Sequence, residues 1–141
     1  MTQRTVAQIQ GARSEVLIIS PYFVPGERGL ALLQDAAKRG VQTSVITNAL
    51  NATDETLAYS GYSRYRERML EAGVDLYELS PTRTQQTKRL GMFGSSLGRL
   101  HAKTAVIDRR VIFIGSMNLD PRSASTNTEF GMFIDSRALA K

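Results

Sequence analysis

The chain has 141 residues, of which 42% are hydrophobic and 22% charged, and its formal net charge is +5. These values are typical of one globular domain with a sizeable core, and the positive charge favours nucleic acid, a phospholipid surface or a phosphorylated substrate as a partner. The absence of cysteine excludes disulfides and thiolate catalysis, and the single histidine excludes a histidine-rich metal site. No apolar run approaches the ~18 residues that a membrane span requires.

Helix-like and strand-like segments alternate in the N-terminal half. The apolar periodicity predicts, in chain order, a helix over Thr5–Arg13, a strand over Glu15–Ser20, a helix over Gly26–Gly40, a strand over Val41–Thr47, a helix over Thr53–Gly73 and a strand over Val74–Ser80. Glycine ends both of the longer helices, at Gly40 and Gly73. Strands that alternate with helices through short links imply right-handed crossovers and a largely parallel sheet.

The C-terminal half does not continue the alternation of helices and strands. Residues 82–99 contain arginine, lysine and three glycines but no acid, which predicts a long, flexible basic loop. Two strands follow, over Lys103–Asp108 and Arg110–Gly115, joined as a hairpin, and a last strand is predicted over Thr128–Ser136. The final residues, Ser136–Lys141, read as the start of a helix. The predicted fold is therefore α/β, a mixed and mostly parallel β-sheet flanked by helices, in one domain over residues 1–141.

The only histidine stands in a polar cluster at the ends of the predicted hairpin strands. His101 and Lys103 are two residues apart, so on a strand their side chains would leave the same face. Ser116 and Asn118 have the same spacing after the neighbouring strand. A cation, a hydroxyl and an amide that converge on an imidazole form a site for a phosphate-sized anion, with a nucleophile inside it.

These residues form a longer pattern, H-x-K-x4-D-x6-G-S-x-N, in which Asp108 and Gly115 supply the acid and the glycine. The pattern resembles the signature of the phospholipase D superfamily. The segments SPYFVPG, AAKRGV, LEAGVDLYE and NLDPRSASTNTEFG look like the C-terminal half of bacterial cardiolipin synthases and their close relatives. The resemblance runs from about Glu15 to Asp135 and implies a phospholipase D-like α-β-α sandwich.

The resemblance also implies a role for each residue of the pattern. His101 attacks the phosphorus of a phosphodiester and becomes a phosphohistidine, while Lys103, Ser116 and Asn118 hold the non-bridging oxygens. Neither a metal nor another cofactor is needed. Glu129 matches the acid that bonds the Nδ1 atom of the nucleophile, although a plain surface carboxylate would fit the sequence as well. Asp108 falls at the hairpin turn, which favours an architectural role over contact with substrate.

A phosphorylated histidine cannot also protonate the leaving alcohol in the same step. The superfamily meets this need with two such motifs that face each other, and this chain has one. Either two copies dimerise through an isologous interface, or the chain is half of a two-motif enzyme. Its short closing segment and its resemblance to a C-terminal half favour the second arrangement. An isolated monomer is then expected to be inactive or nearly so.

Three hypotheses remain for the substrate and the function. In the first, a phospholipid head group is displaced and phosphatidylglycerol accepts the phosphatidyl group to give cardiolipin. The basic loop would touch an anionic bilayer, and we expect a peripheral or anchored protein at the cytoplasmic side of a bacterial inner membrane. In the second, a single-motif homodimeric endonuclease cleaves nucleic acid, although aromatic residues among the basic ones are sparse. The third is a non-catalytic binding half.

Overall fold

The structure is a computed structural model that describes residues 3–49, 56–80, 100–116 and 130–141. Its elements, in chain order, are α1 (Gln3–Gln10), β1 (Glu15–Ile19), α2 (Gly26–Lys38), β2 (Gln42–Asn48), α3 (Thr56–Glu71), β3 (Asp75–Leu79), β4 (Thr104–Ile107), β5 (Val111–Gly115) and β6 (Gly131–Asp135). Each corresponds to an element predicted from the sequence, with bounds shifted by a few residues. The predicted basic loop over residues 82–99 lies outside the described residues. The predicted closing helix is a single turn, in which the Ala140 N–H donates to the Ser136 carbonyl at 3.2 Å.

One six-stranded sheet has the order β3-β2-β1-β4-β5-β6. β1 pairs in parallel with β2, and β2 with β3, whereas the pairs β1–β4, β4–β5 and β5–β6 are antiparallel. The prediction of a mixed α/β sheet with helices is confirmed. The prediction that it is mostly parallel holds for strand direction, since β1, β2, β3 and β5 run the same way. It does not hold for the pairings, because the β4–β5 hairpin enters beside β1 with β4 reversed.

The core forms where helices meet alternate residues of the strands. Leu30, Leu33 and Ala36 lie on one face of α2 and are buried against the sheet. Val16 and Val45 face them from β1 and β2 in the same cluster, which also contains residues of α1 and α3. Each large apolar side chain buried in this way contributes about 1.5–3 kcal/mol to the free energy of unfolding. This layer fixes the strands whose ends carry the polar residues.

The strand directions bring several strand ends to one edge of the sheet. Ile19, the last residue of β1, pairs with Thr104, the first residue of β4. Gly115, the last residue of β5, pairs with Gly131, the first residue of β6. Since β1 and β2 are parallel, β2 also ends at this edge. None of the described helices is long and apolar enough to cross a bilayer.

Candidate functional site

His101 and Lys103 lie at this sheet edge but precede β4 rather than belonging to it. The sequence predicted a strand from Lys103, and the structure begins β4 at Thr104. β1 ends at Ile19, which pairs with Thr104, so the ladder between β1 and β4 begins at Thr104. His101 and Lys103 are therefore not strand residues, and strand alternation does not decide which way their side chains point.

A direct contact brings His101 and Lys103 together instead. The Lys103 Nζ atom donates a hydrogen bond to the His101 carbonyl oxygen at 3.0 Å. The His101 residue is exposed and Lys103 is half-buried. An accessible imidazole with an ammonium group close to its own backbone is suited to attack on an anionic group, because the cation offsets the charge of that group.

Ser116 follows β5 at the same edge. The Gly115 N–H donates to the Lys103 carbonyl at 3.0 Å, which extends the β4–β5 register by one step and places Ser116 beside the His101–Lys103 segment. The Phe130 N–H donates to the Ser116 hydroxyl oxygen at 3.1 Å, and the Ser116 N–H donates to the Phe130 carbonyl at 2.9 Å. The hydroxyl is thus held where β5 and β6 meet. The two other predicted site residues, Asn118 and Glu129, lie outside the described residues.

Asn48 is a residue of this edge that the sequence analysis did not single out. It ends β2, its exposed fraction is 5%, and its side chain pairs with the backbone of Leu100, immediately before His101. One signal was available in the sequence, since Asn48 is a polar residue just after the apolar run of β2. Polar residues at the carboxyl ends of parallel strands commonly line a ligand crevice.

Asp108 lies at the opposite end of β4. Six residues lie between it and His101, and they include the whole of β4. Its Oδ1 atom accepts hydrogen bonds from the Ser14 N–H at 2.8 Å, the Ser14 hydroxyl at 2.9 Å and the Glu15 N–H at 3.1 Å, and both Asp108 oxygens lie 3.0 Å from the Arg13 amide nitrogen. The carboxylate therefore ties the hairpin turn to the segment that enters β1.

The backbone and charge of Asp108 suit this anchoring. Asp108 and Arg109 have φ angles of 53° and 47°, the left-handed backbone of primed hairpin turns, which aspartate tolerates better than most residues. Partial burial by itself would raise the pKa of Asp108. The hydrogen bonds from Ser14, Glu15 and Arg13 outweigh burial and hold the pKa of this carboxyl below its ordinary value.

Gly115 and Gly131 form a cross-strand glycine pair beneath the ring of Phe113. A Cβ atom on Gly115 would lie 2.8 Å from Phe113 Cζ and 2.8 Å from the Phe130 carbonyl oxygen. A Cβ atom on Gly131 would come still closer to the ring, at Phe113 Cε2. The close approach of the Phe113 ring therefore explains glycine at both positions. A larger side chain would displace the strand that carries Ser116.

Gly115→Ala is expected to lower the free energy of unfolding by about 1–3 kcal/mol, the usual result of overpacking a close contact. Urea denaturation measures this change. Gly11→Ala is the matched control, because a Cβ on Gly11 would meet its nearest atom, the Ala7 carbonyl oxygen, at 3.4 Å, an ordinary contact. Equal stability of the two variants would show that the Phe113 ring and the Phe130 carbonyl both move aside at no cost.

Comparison with known proteins agrees with the fold and the motif. The family model described as "Cardiolipin synthase, PLD-like domain" matches residues 5–141. Cardiolipin synthase C of Escherichia coli (strain K12) is 46% identical over 136 residues, which cover 94% of this chain and 29% of that protein. The chain thus spans less than a third of the length of this relative.

Two solved structures share the fold at low sequence identity. The phospholipase D family member Nuc from Salmonella typhimurium superposes with a TM-score of 0.69 at 19% identity, over 97% of this chain and 77% of that one. The phosphatidylserine synthase of Haemophilus influenzae Rd KW20 gives a TM-score of 0.66 at 19% identity, over 94% of this chain and 31% of that one. Together with the family match, these likenesses confirm the resemblance carried by the motif. The chain belongs to the cardiolipin synthase, PLD-like domain family of the phospholipase D superfamily.

Proposed function

We propose that this chain is the C-terminal catalytic half of a phosphatidyltransferase that makes cardiolipin from phosphatidylglycerol and a second phospholipid through a phosphohistidine at His101. The main support is the meeting of His101, Lys103 and Ser116 at one sheet edge, in the motif order of the family. Identity of 46% with a cardiolipin synthase supports the lipid substrate. The arrangement of these residues and the sequence identity both support phosphodiester chemistry.

In the first step, the Nε2 atom of His101 attacks the phosphorus of the donor phospholipid. A P–N bond forms, the P–O bond to the head-group alcohol breaks, and the alcohol oxygen leaves with the bonding electrons and takes up a proton. Lys103, Ser116 and Asn118 stabilise the negative charge on the non-bridging oxygens. Glu129 accepts a hydrogen bond from Nδ1–H, which keeps Nε2 unprotonated for attack and stabilises the positive ring that forms.

In the second step, a hydroxyl of phosphatidylglycerol attacks the phosphohistidine. A new P–O bond forms, the P–N bond breaks, and the hydroxyl proton passes to the group that protonated the leaving alcohol. Cardiolipin is released and His101 returns to its starting state. The chain has one histidine, so this acid and base come from a second HxKxxxxD half, either in the same longer chain or in a second copy.

A monomeric preparation of the isolated 141-residue chain is therefore expected to give no measurable phosphatidyl transfer. The physical reason is that a phosphorylated His101 has no proton to give to the leaving alcohol. Light scattering establishes the oligomeric state, and lipid extraction after incubation with phosphatidylglycerol vesicles measures turnover. Turnover in a fraction shown to be monomeric would contradict this requirement for a second half.

The substrate class is tested with the complete reading frame that carries this chain. The preparation is offered phosphatidylglycerol vesicles in one arm and single- and double-stranded oligonucleotides in the other. We expect cardiolipin and free glycerol in the first arm and intact oligonucleotide in the second. Cleaved oligonucleotide with unchanged lipid would replace the proposal with the endonuclease alternative, and no reaction in either arm would favour the binding half.

Membrane contact is part of the same proposal, because both substrates are bilayer lipids. The net charge of +5 supports contact with an anionic surface at the cytoplasmic side of a bacterial inner membrane, through a peripheral or anchored protein. Co-sedimentation of the chain with anionic vesicles, and its release as salt is raised, would test this contact.

A further inference from the structure

The side chain of Asn48 links the end of β2 to the segment that precedes β4. Its Nδ2 group donates to the Leu100 carbonyl at 3.2 Å, and its Oδ1 atom accepts from the Leu100 N–H at 3.0 Å. β1 lies between β2 and the segment that enters β4. The amide thus pairs with both backbone groups of Leu100, as a strand residue would.

The end of β1 explains why a side chain makes this bridge. Just after β1, Ser20 donates its N–H to the Ile46 carbonyl at 3.0 Å, and its hydroxyl donates to the Tyr22 carbonyl at 2.7 Å. The ladder between β1 and β4 begins with the pair Ile19–Thr104, so Leu100 precedes it. Asn48 supplies Leu100 with one donor and one acceptor, and its own buried amide is satisfied by the same two hydrogen bonds.

A second anchor holds the other side of His101. The Lys103 carbonyl accepts from the Gly115 N–H at 3.0 Å. Leu100 is therefore fixed from β2 and Lys103 from β5, with His101 and Ala102 between the two anchors. An exposed side chain receives little packing to orient it, so the position of its main chain decides where the imidazole can point.

We propose that Asn48 is a positioning residue that fixes the backbone of Leu100 and thereby aims His101 at the phosphorus. This inference rests on the proposed role of His101 as nucleophile. The requirement is chemically narrow, because only a side chain with a donor and an acceptor side by side can pair with both Leu100 groups. Aspartate would place a carboxylate oxygen against the Leu100 carbonyl, and alanine would leave both groups without this partner.

The test compares Asn48→Ala, Asn48→Asp and wild type in the complete reading frame. A displacement of the nucleophile of about 1 Å costs on the order of 10²-fold, so we expect kcat to fall about 10- to 100-fold in the alanine variant with KM nearly unchanged. The nearly isosteric aspartate variant loses the Nδ2 donor to the Leu100 carbonyl. Its kcat is expected to fall at least about fivefold, because the nucleophile is again displaced. Hydrogen exchange followed by mass spectrometry is expected to be faster in peptides that contain Leu100 and unchanged in those from β2.

Thr43→Ala is the matched control. Thr43 is 1% exposed on the same strand, but at the opposite end, where its hydroxyl bonds the Val41 carbonyl. This variant is expected to lose thermal stability while its folded fraction keeps wild-type kcat and wild-type exchange at Leu100. An equal loss of kcat in the control would reduce Asn48 to a general stabilising residue and overturn the proposal.

The proposal also fails if either Asn48 variant is folded and keeps kcat within about twofold of wild type. A displaced nucleophile would lower kcat by more than this. His101→Ala is assayed in parallel to separate this failure from that of the proposed function. An inactive His101 variant beside active Asn48 variants refutes the positioning role alone. An active His101 variant refutes the proposed function itself.

Discussion

Replacing His101 by alanine is expected to lower phosphatidyl transfer by about 10⁴-fold or more, because removal of a covalent nucleophile leaves only the binding groups. His101 is exposed, so the variant should fold with an unchanged free energy of unfolding. The loss would then belong to the chemistry. Expression of the complete reading frame in a cardiolipin-deficient host, followed by lipid extraction, measures the effect in cells.

The control for this experiment is Gln42→Ala. Gln42 is exposed at the start of β2, at the sheet edge away from His101. Cells with this variant should make as much cardiolipin as wild type, and cells with His101→Ala should make none above the host background. Equal amounts of cardiolipin from the wild type and the His101 variant would contradict the proposed mechanism.

Replacing Asp108 by alanine is expected to lower the free energy of unfolding by about 2–4 kcal/mol, because the amides of Arg13, Ser14 and Glu15 lose a charged acceptor that solvent replaces only in part. The effect on activity should follow the loss of folded protein, since Asp108 lies at the far end of β4 from His101. Urea denaturation and kcat per folded molecule separate the two effects.

The contribution of Asp108 to the free energy of unfolding also depends on pH, and it decreases in acid. The pKa of Asp108 is lower in the folded chain than the ordinary value of about 3.9 that it regains on unfolding. The unfolded state therefore binds more protons in this range, and the Asp108 contribution is fully present above pH ~4 and is lost as the pH falls through the folded pKa. The difference in unfolding free energy between wild type and Asp108→Asn should accordingly shrink in acid.

Asp35→Asn serves as the control for Asp108, because the Asp35 carboxylate pairs with Arg39 at 3.1 Å on the exposed surface of α2. Exposed pairs of this kind contribute about 0–1 kcal/mol, so little change is expected. A folded Asp108→Ala protein with wild-type stability and no activity would contradict the anchoring role and assign Asp108 to the chemistry.

The two anchoring residues differ in how far the sequence could predict them. Asp108 falls between two apolar strand runs, so its position at a hairpin turn could be predicted, although its partners Arg13 and Ser14 could not. The side chain of Asn48 contacts the backbone of Leu100, which lies 52 residues away along the chain. Backbone atoms are the same in every residue, so nothing in the identity of Leu100 indicates the contact.

The strands and helices themselves were predictable for a local reason. The apolar residues of β1 and β2 and the stop signal at Gly40 act within a few residues of the chain. The first residue of β4 was not predictable in the same way, because it depends on where β1 ends. Strand order and register are likewise set by packing between distant segments.

The proposed mechanism requires a covalent phosphorus–nitrogen bond at His101, and this bond can be trapped chemically. The complete protein is mixed with phosphatidylglycerol labelled in the phosphate, quenched in alkaline denaturant and digested with trypsin, which releases residues 100–103 as a peptide with the only histidine of the chain. Label on this peptide that is stable in base and lost in acid, as a phosphoramidate is, is the predicted result. Label on another peptide, or cardiolipin formed with no labelled enzyme at any time, would contradict the phosphohistidine mechanism.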